Sequence, residues 1–555
     1  MSKNLSALSF RKGVDQNIFE KMVDSAEATG TAETKEQVQG IAKAHLVGEA
    51  ISLGAVSFYD FLKKENEGKK VFWCNGSACL TAGTQSGLKE QLGKHFKEEE
   101  IGHICCLGRC HECGAFQHNG KNYSAKSDEE LAAICEKGEG DDSDNYAVGS
   151  NLEKPILTAP FPGVDEYYAA LQQLLGRERD DVLTDLKDSG LRGRGGAGFP
   201  LSFKWQSCRE VEGGPKYIVC NADEGDPGAY IDKYLMELQP HSVLFGMIAA
   251  GWFIGAEVGV LYIRAEYPDS IRIVEEAIAE LHEKGILGND IFGTGFKFDL
   301  KVIKGAGAYI CGEETALLSS LEGHRPEVRV RPPFPTVEGL FRKPTVLNNV
   351  ETFANLHAIV TMGGAEYAKI GTEKSSGPKL VSIDSIFNKP GIYEVAMGTP
   401  LKEVVYDLGG GFKQPVKGVQ VGGPLGGIVP TDKIGELTVD FESFKDGGFL
   451  LGHAGIVSIP ESFPMLDYIE HMFEFTADES CGKCFPCRLG SVRGKELAAK
   501  ARTSDYKIDP ELMHDLLDTM MSTSLCALGG GVPLPIKNAL EYFKDELQPH
   551  FSEKL

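Results

Sequence analysis

The chain has no surplus of basic residues. It carries 57 Lys and Arg against 80 Asp and Glu, a formal charge of -23 at pH 7. That balance argues against a nucleic-acid surface, because phosphate backbones are gripped chiefly through basic patches. Residues 1–13 offer no basic flank leading into an apolar core and a small-residue cleavage site, so no secretory signal is read. Long tandem repeats are absent. The longest apolar run, 242–262, is rich in Gly and Ala and contains Glu257, which makes it a poor membrane span. The expectation is a cytoplasmic protein with no nucleic acid and no direct membrane insertion. In a reducing compartment clustered cysteines serve as ligands more readily than as disulfides.

Cysteine itself is not scarce. Fourteen stand in a chain of 555 residues, and that length has room for about three or four domains, so small size does not explain them. Cys481, Cys484 and Cys487 are spaced C-x2-C-x2-C, and Cys526 follows 39 residues later. Iron in a [4Fe-4S] cube takes four soft thiolates; a compact loop wraps three corners and a remote segment closes the fourth. Four thiolates also hold zinc, which is the competing occupant. Pro486 and Arg488 either shape this loop or belong to ordinary surface geometry.

Near the other end, Cys74 and Cys79 form a C-x4-C pair and Cys106 and Cys110 a C-x3-C pair, each after an expected strand (69–73 and 101–105). Two such pairs suit the two irons of a [2Fe-2S] rhombus, with zinc or reactive thiols as alternatives. Cys105 and Cys113 leave the ligand choice open. Placement at strand ends favours Cys106 and Cys110, with Cys105 facing back to the core; Cys135 reads as a packed thiol.

Short helices are expected from Asn17 to Phe61, with Phe19, Met22 and Val23 on one face, and an amphipathic stretch from Thr34 to Ala55. Helices over 88–96 and 129–134 complete a compact α/β module. Residues 136–145, acidic and glycine-containing, read as a solvated linker. A second α/β region follows, with strands at 216–219 and 258–263 and a helix at 270–285. Residues 377–440 favour strands and turns, and 463–551 are mostly helical.

The loop Gly190-Leu-Arg-Gly193-Arg194-Gly195-Gly196-Ala-Gly-Phe199 superficially resembles a Rossmann fingerprint but follows a helical stretch, 182–187, where the fingerprint needs a strand. Its glycines still let backbone N–H groups approach a phosphate, and Arg192 and Arg194 supply positive charge. A tight packing loop is the alternative. Polar groups crowd beyond the strand at 216–219: Asn221 suits a heterocycle edge, and Asp223 and Glu224 suit sugar or ring donors, though a solvated turn reads equally well. Gly305 to Leu318 leads glycines into a helix near Gly312, whose free N–H groups favour an anion; Glu313 and Glu314 there are ordinary dipole partners. Residues 329–335 put a cation and an aromatic on a rigid loop. Asn348, Asn349 and Thr352 lie at a helix start, where a cap is the plain explanation.

Together, Gly193–Pro200, Asn221–Gly228, Tyr309–Glu314, Pro332–Pro335, Asn348–Thr352 and the four C-terminal cysteines resemble the NADH-binding flavoprotein subunit of respiratory complex I, a type that also serves NAD-linked hydrogenases and formate dehydrogenases. The resemblance covers residues 165 to 550. Residues 35 to 135 resemble the thioredoxin-like [2Fe-2S] subunit of the same assemblies, fused in front. The resemblance implies an α/β multidomain chain: a helical segment (1–68), a thioredoxin-like [2Fe-2S] domain (69–135), an acidic linker (136–164), an FMN- and NAD(H)-binding domain (165–365), a ubiquitin-like β-grasp (SLBB-like) domain (366–445) and a helical [4Fe-4S] domain (446–555).

It further implies that Gly193, Gly195, Lys204, Asn221, Asp223, Tyr309, Gly312, Glu313, Asn348, Asn349 and Thr352 hold FMN. Phe199 and Phe334 would sandwich the adenine, and Asp226, Glu314 and Arg331 would orient the nucleotide. Asp226 stands where glutamate is usual, Arg331 replaces lysine, Lys233 takes an arginine position and Phe485 a threonine position. No protein nucleophile is required: FMN exchanges a hydride with NAD(H), and single electrons pass through the clusters to partner subunits. Implied partners are a thioredoxin-like [2Fe-2S] subunit and a catalytic subunit such as hydrogenase or formate dehydrogenase. An electron-bifurcating subunit coupled to ferredoxin, a flavin-free cluster scaffold and a zinc-stapled structural protein are the competing readings.

Overall fold

The computed structural model describes residues 13–14, 17–29, 35–138 and 140–555. Residues 1–12, where no secretory signal is read, and Thr34, the expected start of the amphipathic stretch, lie outside them. The described part is an α/β multidomain chain.

Helices Ile18–Thr29, Lys35–Ala44 and Glu49–Val56 open the chain. Phe19, Met22 and Val23 share one face, and that face is buried against Val219, Val260, Tyr262 and Ile303. Its partner is therefore the second α/β region, not the cysteine module that follows in sequence. Hydrogen bonds fix the seat: Asn17 Nδ2 donates to Leu321 O at 2.6 Å and Asp60 N to Gly307 O at 2.9 Å.

In the cysteine module, β1 (Val71–Cys74), β2 (Ile101–Ile104), β3 (Phe116–His118) and β4 (Lys121–Tyr123) are ordered β2-β1-β3-β4. β1 runs parallel to β2 and antiparallel to β3. The β3–β4 hairpin adds to the two expected strands. Its turn, Asn119-Gly120, has both residues at positive φ, the conformation that Asn-Gly favours in two-residue hairpins.

The acidic segment is not simply solvated. Asp144 lies 2.7 Å from His111 Nε2 and pairs with Lys233, while Arg109 donates to the carbonyls of Asp142 and Ser143. Arg109 and Lys233 are both buried, and buried cations need counter-charges; the acidic residues provide them. Burial raises the Asp144 carboxyl, but the close His111 and the charges of Lys233 and Arg109 outweigh it and hold the group well below the usual carboxylate range. Beyond it, Ala147–Ser150 forms β5, parallel to Gly391–Glu394 of a later sheet.

β6 (Tyr217–Ala222), β7 (Val258–Ile263), β8 (Asp299–Lys304) and β9 (Thr345–Asn349) form a wholly parallel sheet ordered β8-β7-β6-β9. The opening helices cover one face. Helix Pro240–Ile254, buried along its length, covers the other. The apolar run 242–262 is thus this helix, a turn at Gly255 (φ +77°) and β7. No helix among the described residues is long and apolar enough to cross a membrane.

β10 (Pro378–Ile383), β11 (Gly391–Ala396), β12 (Val416–Val421), β13 (Ile428–Pro430) and β14 (Gly455–Pro460) join β5 in a mixed sheet ordered β13-β12-β14-β10-β11-β5. Helices Met465–Glu479, Phe485–Thr503, Pro510–Thr523 and Pro533–Tyr542 then pack around Met472, Phe473, Leu497, Leu517 and Ile536.

Phe19 is fully buried, its ring centroid 5.0 Å from that of Tyr59 and 6.1 Å from that of Tyr262. Phe19→Ala is expected to cost about 3–5 kcal/mol of local stability. Limited proteolysis should then cleave within residues 17–62 first; an unchanged cleavage pattern would contradict the packing described.

Candidate functional site

Parallel α/β sheets place ligands beyond the carboxyl ends of their strands, and here the polar segments collect there. Asn221 ends β6 with Ala222 and residues 223–226 follow it, Asn348 and Asn349 end β9, and Gly305 to Gly312 follow β8. The glycine loop lies beside them, pinched by Gly193 N donating to Phe199 O at 2.9 Å and anchored by Arg194 N donating to Thr352 Oγ1 at 2.9 Å. A Cβ on Gly195 would fall 2.9 Å from Asn349 Cβ, and Gly196 adopts φ +121°, so close backbone approach depends on these glycines.

The two arginines of the loop do not supply charge to a phosphate as expected. The Arg194 side chain is fully buried and donates to Ser376 O at 2.6 Å; Arg192 donates to Gly198 O and to Glu442, both at 2.6 Å. Each guanidinium braces the loop from behind. A cationic group that does stand on the cleft side is Lys204, which donates to Leu347 O at 2.9 Å and lies 3.9 Å from Glu314. Burial lowers its pKa, with Glu314 opposing.

Two acidic residues are also committed elsewhere. Glu224 accepts from the N–H groups of Ile231, Asp232 and Lys233 and so caps helix Ile231–Leu238. Glu313 is the N-cap of helix Glu314–Leu321, accepting from Thr315 N and Ala316 N. These N–H groups are therefore not free for an external anion near Gly312. Asn349 likewise caps helix Val350–Ala354 through Glu351 N, and Asn348 Oδ1 accepts from Trp205 Nε1.

Asp223 differs. Its carboxylate is buried, Oδ2 has no hydrogen-bond partner, and the nearest cation, Arg264 Nε, is 4.0 Å away. Burial pushes its pKa well up. A buried orphan acceptor beside a glycine cradle fits a ligand carrying hydrogen-bond donors. Asn221 Nδ2 donates to Gly312 O at 2.7 Å, fixing the floor. Asp226 accepts from Tyr309 OH at 2.6 Å and faces His453 at 3.1 Å. Arg331 pairs with Glu314 at 2.5 Å and lies 3.7 Å from Glu313.

At the cleft mouth Phe199 and Phe334 are 46% and 56% exposed, as stacking platforms would be. Sequence reasoning missed Phe203, 62% exposed and 5.8 Å from Phe199 between ring centroids. It also missed Arg264, Glu266 and His453; Arg264 directly follows β7, so the strand-end rule was the available signal.

The C-terminal thiols converge behind this cleft. Cys481 follows helix Met465–Glu479, Cys484 is the N-cap of helix Phe485–Thr503 with Cys487 in its first turn, and Cys526 is the N-cap of a short helix. Helix N-termini favour thiolate. All four share an apolar cluster with Ile310, Val328, Phe475 and Leu528. Burial pushes Cys487 up to about 11 and Cys526 up to about 12, a cost that metal coordination reverses. Arg488 donates to Gly482 O at 3.1 Å and so shapes the loop.

In the front module, Cys106 and Cys110 sulfurs are 3.6 Å apart, and Cys74 and Cys79 are buried in the same cluster. Backbone N–H groups support them: Gly228 N donates to Cys110 Sγ at 3.2 Å. Among the described residues, only His111, Glu112 and Asp144 bring three potential ligand atoms within 4.8 Å of one another, and Arg109 and Lys233 neutralise that group. Four sulfurs around one zinc would stand about 3.8 Å apart. The wider spread of both thiol sets suits multi-iron clusters.

These features define a redox protein with a dinucleotide-type cleft backed by iron-binding thiols. Residues 186–358 match the family Complex1_51K, described as the Nuo51 FMN-binding domain, and residues 467–550 match the NADH-ubiquinone oxidoreductase-F iron-sulfur binding region. An NADH-quinone oxidoreductase subunit of Rhizobium meliloti (strain 1021) is 43% identical over 395 residues, spanning 70% of this chain and 93% of its own length. NADP-reducing hydrogenase subunit HndC of Solidesulfovibrio fructosivorans is 41% identical over 399 residues, 70% of this chain and 81% of its own. A solved NAD+-reducing [NiFe]-hydrogenase in the H2-reduced state superposes with a TM-score of 0.85 at 27% identity, covering 97% of this chain and 94% of that one. The chain belongs to the NuoF/HndC-like family of NADH oxidoreductase subunits. It is an FMN- and NADH-binding oxidoreductase subunit that passes electrons through iron–sulfur centres to partner redox subunits.

Cys484→Ser is expected to abolish one paramagnetic cluster signal while flavin stays bound, because Cys484 belongs to the thiol set behind the cleft and not to its glycine loop. Electron paramagnetic resonance and released-flavin fluorescence on one sample decide it, and unchanged cluster signals would defeat the assignment.

Proposed function

We propose that this chain is the NAD(H)-reacting diaphorase subunit of a hydrogenase-linked assembly. The observation that carries this reading is a shared wall. Residues 309–316 face the cleft through Tyr309, Gly312, Glu313 and Glu314, and the same segment packs Ile310 and Ala316 against Cys481 and Cys487. Glu313 is also among the charges acting on Cys526.

FMN, when bound, supplies the conversion between a two-electron hydride and single electrons. The backbone of Gly193, Gly195, Gly196 and Gly312, with Lys204, Asn221, Asp223, Tyr309 and Asn348, would hold it. Thr352 and Asn349 act by fixing the loop and the helix start. Phe199 and Phe334 would enclose the adenine of NAD(H). Asp226, Glu314 and Arg331 would orient the nucleotide, with Tyr309 and His453 holding the Asp226 carboxylate in place. The apolar shell of Ile310, Val328 and Phe475 excludes water between cleft and thiols.

Cys481, Cys484, Cys487 and Cys526 are the proposed [4Fe-4S] ligands, and Cys74, Cys79, Cys106 and Cys110 the [2Fe-2S] ligands. The Cys106–Cys110 spacing supports the latter, since it suits two sulfurs on one tetrahedral metal. The strand order β2-β1-β3-β4 supports a thioredoxin-like front module, and β10 to β14 support a small β-grasp unit, with β14 joining β10 to β12 beyond the expected boundary at 445.

The hydrogenase link rests on coverage. The Rhizobium meliloti relative spans 70% of this chain, whereas the hydrogenase chain spans 97%, so the front module has a counterpart in the hydrogenase chain. A partner hydrogenase subunit, with ferredoxin as a further electron partner in the bifurcating variant, follows from this reading.

The test is anaerobic isolation of the assembly followed by NADH. The flavin absorbance should bleach, and iron should reach about six atoms per chain; a chain that stays unbleached would sink the reading. Arg331→Ala should raise KM for NADH roughly tenfold with kcat largely kept, the scale of one lost charge-assisted hydrogen bond.

A further inference from the structure

The nucleotide cleft borrows a side chain from the other large sheet. His453 stands on the turn before β14, and its ring reaches the loop after β6, where Nε2 lies 3.1 Å from Asp226 Oδ2. The turn is held from behind: Ala454 N donates to Leu451 O at 3.0 Å and Gly422 N to Gly455 O at 2.8 Å. The loop after β6 is tied to the same sheet, with Ser382 Oγ donating to Gly228 O at 2.8 Å. Both ends of the contact are therefore anchored, and His453 and Asp226 are 12% and 23% exposed.

Gly455 N donates to His453 Nδ1 at 3.0 Å. That bond puts the hydrogen of the neutral ring on Nε2, the atom facing the carboxylate. Burial lowers the His453 pKa, but the charges of Asp226 and Glu224 outweigh both it and Lys379 and raise it. The imidazolium also carries a hydrogen on Nε2, so a donor faces Oδ2 in either form. Nε2 has no hydrogen bond of full geometry to any group, and its pull on Oδ2 is electrostatic. On the opposite side Tyr309 OH donates to Asp226 Oδ1 at 2.6 Å, and burial keeps that phenol protonated by pushing its pKa well up. Gly423 closes the third side, since a Cβ there would fall 2.6 Å from Oδ1. Side chains or backbone from three separate segments thus set the orientation of one carboxylate.

We propose that His453 is a positioning residue for NAD(H): acting through Asp226, and opposite Tyr309, it turns the carboxylate so that its remaining lone pairs accept from donors of the nucleotide. The mixed sheet thereby completes the nucleotide site. The proposal rests on the reading of Asp226 as a nucleotide contact. A carboxylate free to turn must be ordered at each binding event, and that cost falls on the bound ground state and the transition state alike. Loss of His453 therefore acts on KM and leaves kcat largely intact.

The test uses the full chain with flavin bound, steady-state oxidation of NADH by ferricyanide, and calorimetric binding of NAD+ to the oxidised protein. His453→Leu should raise both KM for NADH and Kd for NAD+ roughly three- to tenfold, the scale of one polar contact. His453→Gln, which keeps an amide donor where Nε2 stands, should recover most of that loss. In an Asp226→Asn background His453→Leu should add little, because the two residues act as one unit. Flavin content reports folding; where the leucine variant loses flavin, His453→Asn, whose amide stops short of Asp226, takes its place. An unchanged Kd in the leucine variant, a glutamine variant as impaired as the leucine one, or a full effect of His453→Leu in the Asp226→Asn background would each overturn the proposal. A wild-type chain that holds flavin but binds neither NAD+ nor NADH would instead remove the nucleotide reading itself, an outcome separable from the other three.

Discussion

One buried guanidinium, that of Arg264, joins the regions on which electron flow depends. It donates to Glu224 O at 2.5 Å on the cleft loop, to Cys105 O at 3.0 Å beside the front thiols, and to Glu266 at 2.6 Å. It is also the nearest cation to Asp223. Burying such a charge is unfavourable unless it is paired and hydrogen-bonded, and here one carboxylate and two carbonyls meet it. Without it, Glu266 and Asp223 would be left as uncompensated buried acids, and the Cys106 thiol would lose part of the positive field that helps hold it below its ordinary range, after the larger effect of its Cys110 hydrogen bond. The relative placement of cleft and front module therefore rests on a few strong polar contacts within an apolar interface.

Much of the architecture was legible in the residues, for identifiable reasons. β7 coincides with the expected 258–263 strand because its apolar run is bounded by turn residues, and the helix before the glycine loop rules out a Rossmann unit there. What escaped was tertiary in origin. Arg194 reads as a phosphate ligand from its neighbours in sequence, yet the loop's fold turns it inward to Ser376. Glu224 reads as a ligand contact, but the fold brings it to the start of helix Ile231–Leu238, whose N–H groups it satisfies first, whereas Glu313, read as a dipole partner, does cap its helix. The β3–β4 hairpin is the exception, since Asn119-Gly120 announced it locally.

The first helices show a related limit. Their amphipathic face was visible, but periodicity states only that a face is buried, not against what. The structure seats Phe19 and Tyr59 on the parallel sheet, where Tyr59 OH and Tyr262 OH meet Ser320 Oγ at 2.8 and 3.0 Å. The chain thus covers its nucleotide domain with residues synthesised before the module that precedes it.

The path of residues 140–150 has a consequence for how such a gene could be divided. Asp144 is clamped to the nucleotide domain, and a few residues later β5 completes the edge of a sheet whose other strands lie beyond residue 377. A break upstream of Asp144 would take the acidic clamp from the front module, and one after Ser150 would leave β11 as a bare edge open to pairing with foreign strands. Fission into two polypeptides, like fusion in the opposite direction, would have to rebuild this seam as well as move a stop codon.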